Sequence, residues 1–179
     1  MDHYNEQLVQ KATETKDMIL RVLISAAAVA MVALSVFAVY IFGFFPLVLI
    51  ALGACYLAYI FIIGTFVEYE YIVTNNDLDI DKISGKRKRK RLITVKLNTV
   101  TEWGEYTDKV KAGNISATVM ASDATGYNAW YIIAKHEKYG NILVIFTPAK
   151  ETIRNINYGV PYSVRKREAE FGEDKSIED

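Results

Sequence analysis

A long run without charged side chains dominates the N-terminal part of this chain. None of the 46 residues from 22 to 67 is acidic, basic or histidine. A helix needs about 20 apolar residues to cross the hydrocarbon core of a bilayer, which is roughly 30 Å thick. The run is therefore long enough for two crossings, and Gly43 and Pro46 supply a break between them. We predict a transmembrane helical hairpin at residues 18–67.

The rest of the chain divides into three further segments. Residues 1–17 are polar with a weak helical stripe, which fits either a frayed N-terminal tail or a short helix at the membrane interface. Residues 68–160 change to a period of two and are predicted to form one small domain. Residues 161–179 are charged and lack apolar periodicity, so we expect them to be disordered.

Seven short strands are predicted between residues 68 and 146. Apolar and polar residues alternate, and turn signals such as Asn75-Asn76, Ser84-Gly85 and Tyr139-Gly140-Asn141 separate the strands. A closing helix is predicted to follow, with Thr147 as its N-cap and Pro148 as its first residue. The expected fold class is α+β, with a seven-strand barrel or sandwich and a C-terminal capping helix behind the helical hairpin.

Short motifs in this domain resemble those of the bacterial PH-like membrane proteins. Tyr69–Leu78 is similar to the "Y-x-V-T-N-x-x-L" opening strand of that domain, and Leu97–Trp103 resembles its continuation. Phe146-Thr147-Pro148 is similar to the opening of its final helix. The resemblance covers residues 19–160 and implies two membrane helices followed by a PH-like domain. Such domains bind lipid head groups or peptides. The functions of this family are mostly unassigned, so the resemblance implies a fold and a location but brings no catalytic residue.

A block of six basic residues is the strongest chemical feature of the domain. It comprises Lys86, Arg87, Lys88, Arg89, Lys90 and Arg91. Basic clusters close to the cytoplasmic end of a membrane helix attract anionic lipid, and arginines on one strand face could fork onto phosphates. The competing interpretation is a solvated hairpin rim that sets topology and protects a sheet edge. Nucleic acid is a poor candidate because acids outnumber bases in the rest of residues 68–179.

A second hypothesis assigns the chain a scaffold or assembly role in a membrane complex, without a specific lipid. Here a protein partner would be received by a sheet edge or by the aromatic residues Trp103, Trp130 and Tyr131. The sequence therefore leaves two kinds of partner open, anionic lipid head groups and another protein.

Catalytic and metal-binding motifs are absent from the sequence. Asp77, Asp79 and Asp81 have the spacing of a calcium loop, but glycine and glutamate are missing from its sixth and twelfth positions. We expect these acids to face the basic block across a hairpin, because opposite charges on neighbouring strands stabilise a sheet. His3 and His136 have no accompanying catalytic motif. No enzymatic activity, metal or cofactor is expected.

The distribution of basic residues predicts the orientation of the hairpin. Lys11, Lys16 and Arg21 precede the first helix, the basic block follows the second, and the turn between the helices carries no charge. Since positively charged flanks remain on the cytoplasmic side, we predict a multi-pass protein of the bacterial inner membrane with both termini in the cytoplasm.

Overall fold

The computed structural model describes residues 4–11, 13–43, 45–107, 114–122 and 128–167. The chain divides into two compact units. The helical unit consists of Thr13–Val67 and Ser84–Arg87, and the sheet unit consists of Met1–Ala12, Glu68–Ile83 and Lys88–Asp179. The four-residue turn Ser84–Arg87 thus belongs with the helices, although the strands on either side of it belong to the sheets.

The helical unit contains α1 (Thr15–Phe42) and α2 (Leu47–Gly64). Both helices are long and apolar enough to cross a membrane, judged by length and composition. Gly43 ends α1 in the left-handed conformation, with φ of 64°, and its N–H donates to a carbonyl of the last turn at 2.8 Å. A residue with a Cβ is disfavoured in this conformation. The predicted break at Gly43 and Pro46 is confirmed.

Small residues lie where the two helices pack against each other. Ser35 on α1 and Ala51 on α2 are buried, with exposed fractions of 8% and 7%. The Ser35 hydroxyl donates to a carbonyl of its own helix, so this buried polar group is satisfied. Phe37, Leu49 and Phe61 point away from the pair and are 62%, 71% and 62% exposed. Close packing of small side chains is the way helices associate where an apolar solvent gives no drive for burial.

The sheet unit contains two four-stranded sheets. The first has the order β1-β2-β3-β4, formed by Tyr4–Gln10, Val67–Thr74, Asp77–Ser84 and Lys88–Lys96. The second has the order β5-β7-β8-β6, formed by Val100–Glu105 (β5), Ala117–Ala121 (β6), Trp130–His136 (β7) and Gly140–Phe146 (β8). The predicted α+β class is confirmed. The predicted total of seven strands is not confirmed, because the described residues contain eight, of which β2–β8 lie where seven were predicted. The two sheets do not close into a barrel.

The additional strand is β1, so the prediction of a tail or interfacial helix at the N-terminus is wrong for residues 4–10. It pairs antiparallel with β2, and Leu8 lies opposite Glu70. The strand was missed because two of its inward positions are occupied by the polar residues Asn5 and Gln7. Strands usually place apolar side chains at such positions, whereas these two amides form hydrogen bonds. The sequence consequently lacks the apolar alternation by which strands are recognised.

Gln7 connects β1 to the helix α3 (Lys150–Gly159). Its Oε1 accepts from the Ala149 N–H at 2.7 Å and lies 2.7 Å from the Thr152 hydroxyl, while its Nε2 donates to the Thr147 carbonyl at 3.2 Å. The predicted cap at Thr147 and Pro148 is therefore wrong. Both residues precede the helix, Ala149 is its N-cap, and the side-chain oxygen at this end comes from a distant strand.

The core of the sheet unit is linked by the hydroxyl of Tyr71, a fully buried residue of β2. This hydroxyl donates to the Ala121 carbonyl at the end of β6 and accepts from the Thr147 N–H at 3.2 Å. Its ring meets Phe146 edge-on, with 5.5 Å between centroids. Tyr71 therefore joins the first sheet to two segments of the second by hydrogen bonds in a site without water access.

The segment after α3 is ordered further than predicted. Tyr162–Val164 forms a short 3₁₀ helix, and the Val164 carbonyl accepts from Trp103 Nε1 at 2.7 Å. Asn157 exchanges hydrogen bonds of 2.9 and 3.0 Å with the backbone of Lys166. The expectation of disorder is thus wrong for residues 161–167, and residues 168–179 lie outside the described part of the chain.

We predict that Tyr71→Phe lowers the free energy of unfolding by about 1–3 kcal/mol, because a buried carbonyl and a buried N–H lose their partner. Tyr162→Phe is the matched control, since Tyr162 is 87% exposed. Urea titration of the full chain in neutral detergent, followed by tryptophan fluorescence, measures both. Equal stability of the two variants would contradict the role assigned to the Tyr71 hydroxyl.

Candidate functional site

The basic block begins in the turn between β3 and β4 and continues into β4. Gly85 and Lys86 both have positive φ values, 60° and 57°, as expected for a tight hairpin whose twist matches that of its strands. All six basic residues are exposed. They differ, however, in what their charged groups contact, and this difference divides the block in two.

Arg89 and Arg91 are engaged by carboxylates of the same sheet. Arg89 Nη2 lies 2.7 Å from Glu70 Oε1, and Arg91 Nη1 lies 2.6 Å from Asp79 Oδ1. Arg91 Nε also donates to Asp81, which is only 3% exposed. The prediction that the acidic row faces the basic block is confirmed for Asp79 and Asp81. Each arginine is therefore paired with one or two acids of the sheet, Arg89 through Nη2 and Arg91 through all three guanidinium nitrogens, so their charges are compensated within the sheet.

The other four basic residues form a group that we call the outward cations. No residue in the described part of the chain makes an ion pair or hydrogen bond with their side chains, and all four are solvent-exposed. The outward cations are Lys86, Arg87, Lys88 and Lys90. The candidate anion-binding residues are thus fewer than those of the sequence block, namely four cations that pair with no acid among the described residues.

A backbone hydrogen bond fixes the turn that carries the first two outward cations. The Gly85 N–H donates to the Phe66 carbonyl at 2.8 Å, just past the end of α2. A Cβ at Gly85 would lie 3.1 Å from both Ile63 Cγ2 and the Ile63 carbonyl oxygen, so the close approach requires glycine. Lys86 and Arg87 are consequently held beside the polar end of the helical unit.

Glu70 is the most unusual titratable group near the block. It is 2% exposed, and its Oε2 has no hydrogen-bond partner among the described residues. Burial raises the pKa of Glu70 above its usual value, Arg89 opposes this shift, and the neighbouring carboxyl of Glu6 raises the pKa further. Two carboxyls in contact cannot both be ionised without strong repulsion. The neighbouring carboxyl of Glu6 therefore makes ionisation of Glu70 less favourable.

The three aromatic residues considered for partner binding lie inside the sheet unit. Trp103, Trp130 and Tyr131 are 4%, 4% and 8% exposed. The two indoles pack together with 5.3 Å between ring centroids, and the Tyr131 hydroxyl donates to Glu102. Burial and this hydrogen bond raise the pKa of Tyr131 to about 12. Contrary to the expectation of a receptive surface, these side chains form core contacts and offer a partner little area.

The remaining polar candidates do not assemble into a metal-binding group within the described residues. No group of three or more His, Cys, Asp or Glu side chains is placed there to hold a metal ion. His136 stacks on Tyr139, and its Nδ1 accepts from the Lys138 N–H at 3.1 Å. His136 also lines a shallow cavity of about 240 Å³ with Lys96 and Glu137, which form an ion pair. No sequence pattern indicated this cavity, and His3 lies outside the described residues.

Two sheets followed by a closing helix, with two apolar helices and an exposed basic turn, define the class as a small α+β protein with a PH-like domain. Residues 1–166 match the family model described as "Bacterial PH-like domain (DUF6106)", and the chain belongs to this family. The resemblance identified from the motifs is thereby confirmed. No curated protein and no solved structure shows a significant match to the chain.

We predict that Glu70→Gln makes stability less sensitive to pH. A carboxyl with a raised folded-state pKa stabilises the fold fully below its unfolded pKa and loses this contribution as pH rises through the folded pKa. As pH rises above about 5, beyond the usual pKa of glutamate, the wild type should therefore lose more stability than the variant. Thermal unfolding of the full chain in neutral detergent measures this difference.

The matched control for Glu70→Gln is Glu137→Gln. Its hydrogen bond to Lys96 lowers the pKa of the Glu137 carboxyl, so its contribution disappears only as pH falls below the usual range for glutamate. Its pH profile should run parallel to that of the wild type in the same window. A Glu70→Gln profile that is equally parallel would refute the raised pKa of Glu70.

Proposed function

We propose that this protein is a membrane-anchored PH-like module that binds anionic lipid head groups at the cytoplasmic surface of a bacterial inner membrane. The observation that carries the proposal is the hydrogen bond between Gly85 and Phe66, 2.8 Å long. Because this bond holds the basic turn at the end of an apolar helix, Lys86 and Arg87 lie where the head groups of a surrounding bilayer would be.

The pairing of β1 with β2 supports a hairpin that enters and leaves the bilayer on one side. Gln10 pairs with Glu68 in the antiparallel register, and everything between them in sequence is the helical hairpin with its short connections. Two paired strands cannot be separated by a hydrocarbon core, because their backbone groups would lose their partners. Both termini are therefore proposed to lie on the same side, with the basic residues that favour the cytoplasm.

The number of outward cations allows the free energy of attraction to an anionic membrane to be estimated. A basic residue near an anionic membrane surface contributes about 1 kcal/mol, so four contribute about 4 kcal/mol at low salt. Screening reduces this attraction as the Debye length falls from about 30 Å at 0.01 M to about 8 Å at physiological ionic strength. Arg89 and Arg91 add little to this sum, because their charges are compensated by internal acids.

We predict that replacing all four outward cations by glutamine removes the preference for anionic lipid. The full chain is placed in phosphatidylcholine nanodiscs with traces of spin-labelled phosphatidylglycerol or spin-labelled phosphatidylcholine. Electron paramagnetic resonance then gives the motionally restricted fraction of each lipid. The wild type should restrict phosphatidylglycerol more strongly, and the difference should shrink with added salt.

A charge-matched variant controls for net charge in this experiment. The control keeps the outward cations. It replaces three other lysines and one other arginine by glutamine, at exposed or half-buried positions of the sheet unit. These positions are Lys135, Lys138, Lys150 and Arg167. The control should keep the lipid preference of the wild type. An unchanged preference in the variant without outward cations would disprove lipid binding by this surface and favour the topology or scaffold interpretation.

We predict that tags at the two ends of the chain are equally protected from protease. In sealed inside-out vesicles both the N-terminal and the C-terminal tag should be cleaved, whereas in right-side-out vesicles both should survive. Cleavage of only one tag in either preparation is incompatible with the proposed hairpin, because β1 and β2 could not then pair.

A further inference from the structure

Arg21 of α1 is held in one orientation at the polar end of the helical unit. Its Nε donates to Thr65 Oγ1 at 2.7 Å, and its Cζ lies 3.9 Å from the centroid of the Phe66 ring. The Thr65 hydroxyl in turn donates to the Ile62 carbonyl at 2.7 Å. The hydroxyl proton of Thr65 is thus engaged by the carbonyl of Ile62, so the Thr65 oxygen can only accept from Arg21.

The outer edge of the Arg21 guanidinium carries no described acceptor. Only Nε makes a hydrogen bond to a described residue, which leaves the two Nη groups without one, although the side chain is partly buried. A half-buried guanidinium that is stacked on a ring and bound through Nε presents its Nη groups as a fixed donor pair. Such a pair matches the oxygens of a phosphate or a carboxylate.

Phe66 brings the basic turn to the same place. Its ring lies beneath Arg21, and its carbonyl accepts from the Gly85 N–H at 2.8 Å. Lys86 and Arg87 follow immediately, and neither makes an ion pair with a described residue. Phe66 thus contacts Arg21 through its ring and the turn that carries Lys86 and Arg87 through its carbonyl.

We propose that Arg21, Lys86 and Arg87 form a discrete site for the phosphodiester group of one phospholipid. In this site the two Nη groups of Arg21 act as an oriented donor pair, and Thr65 is a positioning residue for Arg21. The side chains of Lys86 and Arg87 in the turn supply two further positive charges. The inference rests on the proposed membrane anchoring, and it adds a defined binding stoichiometry to a general electrostatic attraction. A phospholipid is favoured over free phosphate because the apolar side chains beside the site, which include Ile63 and the exposed Phe66, are suited to acyl chains.

Native mass spectrometry of the full chain in neutral detergent tests this site. Phosphatidylglycerol is titrated, and the dissociation constant of the first bound lipid is measured. Arg21→Gln should weaken that first binding by about tenfold or more, as expected for the loss of charge-assisted hydrogen bonds. Lys16→Gln removes an exposed charge from the same helix and should change it less than about twofold, a value typical of general electrostatics.

Two further variants distinguish the contribution of the paired Nη donors of Arg21 from that of its positive charge. Arg21→Lys keeps the charge and loses the paired donors, so it should bind the first lipid more weakly than the wild type. Thr65→Val keeps every charge and removes the oxygen that orients Arg21, so it should also weaken the first binding. Circular dichroism confirms that the helices are retained, and these two variants decide the question if Arg21→Gln does not fold.

The possible outcomes distinguish this site from the general surface. Equal losses in Arg21→Gln and Lys16→Gln, or no loss in Arg21→Gln, would overturn the discrete site even if the outward cations still select anionic lipid. Displacement of the bound lipid by equimolar inorganic phosphate would overturn the assignment to a phospholipid. Loss of the first lipid in Arg21→Gln, Arg21→Lys and Thr65→Val, with retention in Lys16→Gln, supports the site.

Discussion

The ion pairs between two arginines of β4 and three acids of the first sheet determine what the basic block can do. Glu70 and Asp81 are 2% and 3% exposed, and an ionised acid at such a position needs a cation to offset its lost hydration. Arg89 and Arg91 supply that charge. They are consequently part of the fold, and only the remaining basic residues are available to an external anion.

The same sheet contains a carboxyl that is compensated only in part. Glu70 meets Arg89 through one oxygen, while its other oxygen has no hydrogen-bond partner among the described residues. Burial and the neighbouring carboxyl of Glu6 raise the pKa of Glu70, and Arg89 opposes this shift. Because Glu6 lies on β1 and Glu70 on β2, these charges act on the pairing of the two strands that flank the helical hairpin in the sequence.

Many of the structural elements follow from local sequence patterns. The uncharged run and the break at Gly43 predicted α1 and α2, and period-two alternation with turn residues predicted β2–β8. These signals are strong because each element carries its own apolar pattern. β1 was missed because two of its inward positions, Asn5 and Gln7, are polar, and their partial burial is explained only by the groups at the start of α3 that they bind. The N-cap at Thr147 was misassigned for the same reason, since the capping oxygen is distant in sequence.

The sequence by itself determined that this chain has two long apolar helices, a β-rich domain of the PH-like family and a cluster of basic residues, because these depend on composition and short-range periodicity. Only the tertiary structure decided which basic residues remain available, that Trp103 and Trp130 are core residues, and that Arg21 lies beside the basic turn. These properties depend on contacts between segments far apart in the chain, such as Gly85 with Phe66. No local pattern encodes such a contact, since it exists only once the strands and helices have packed.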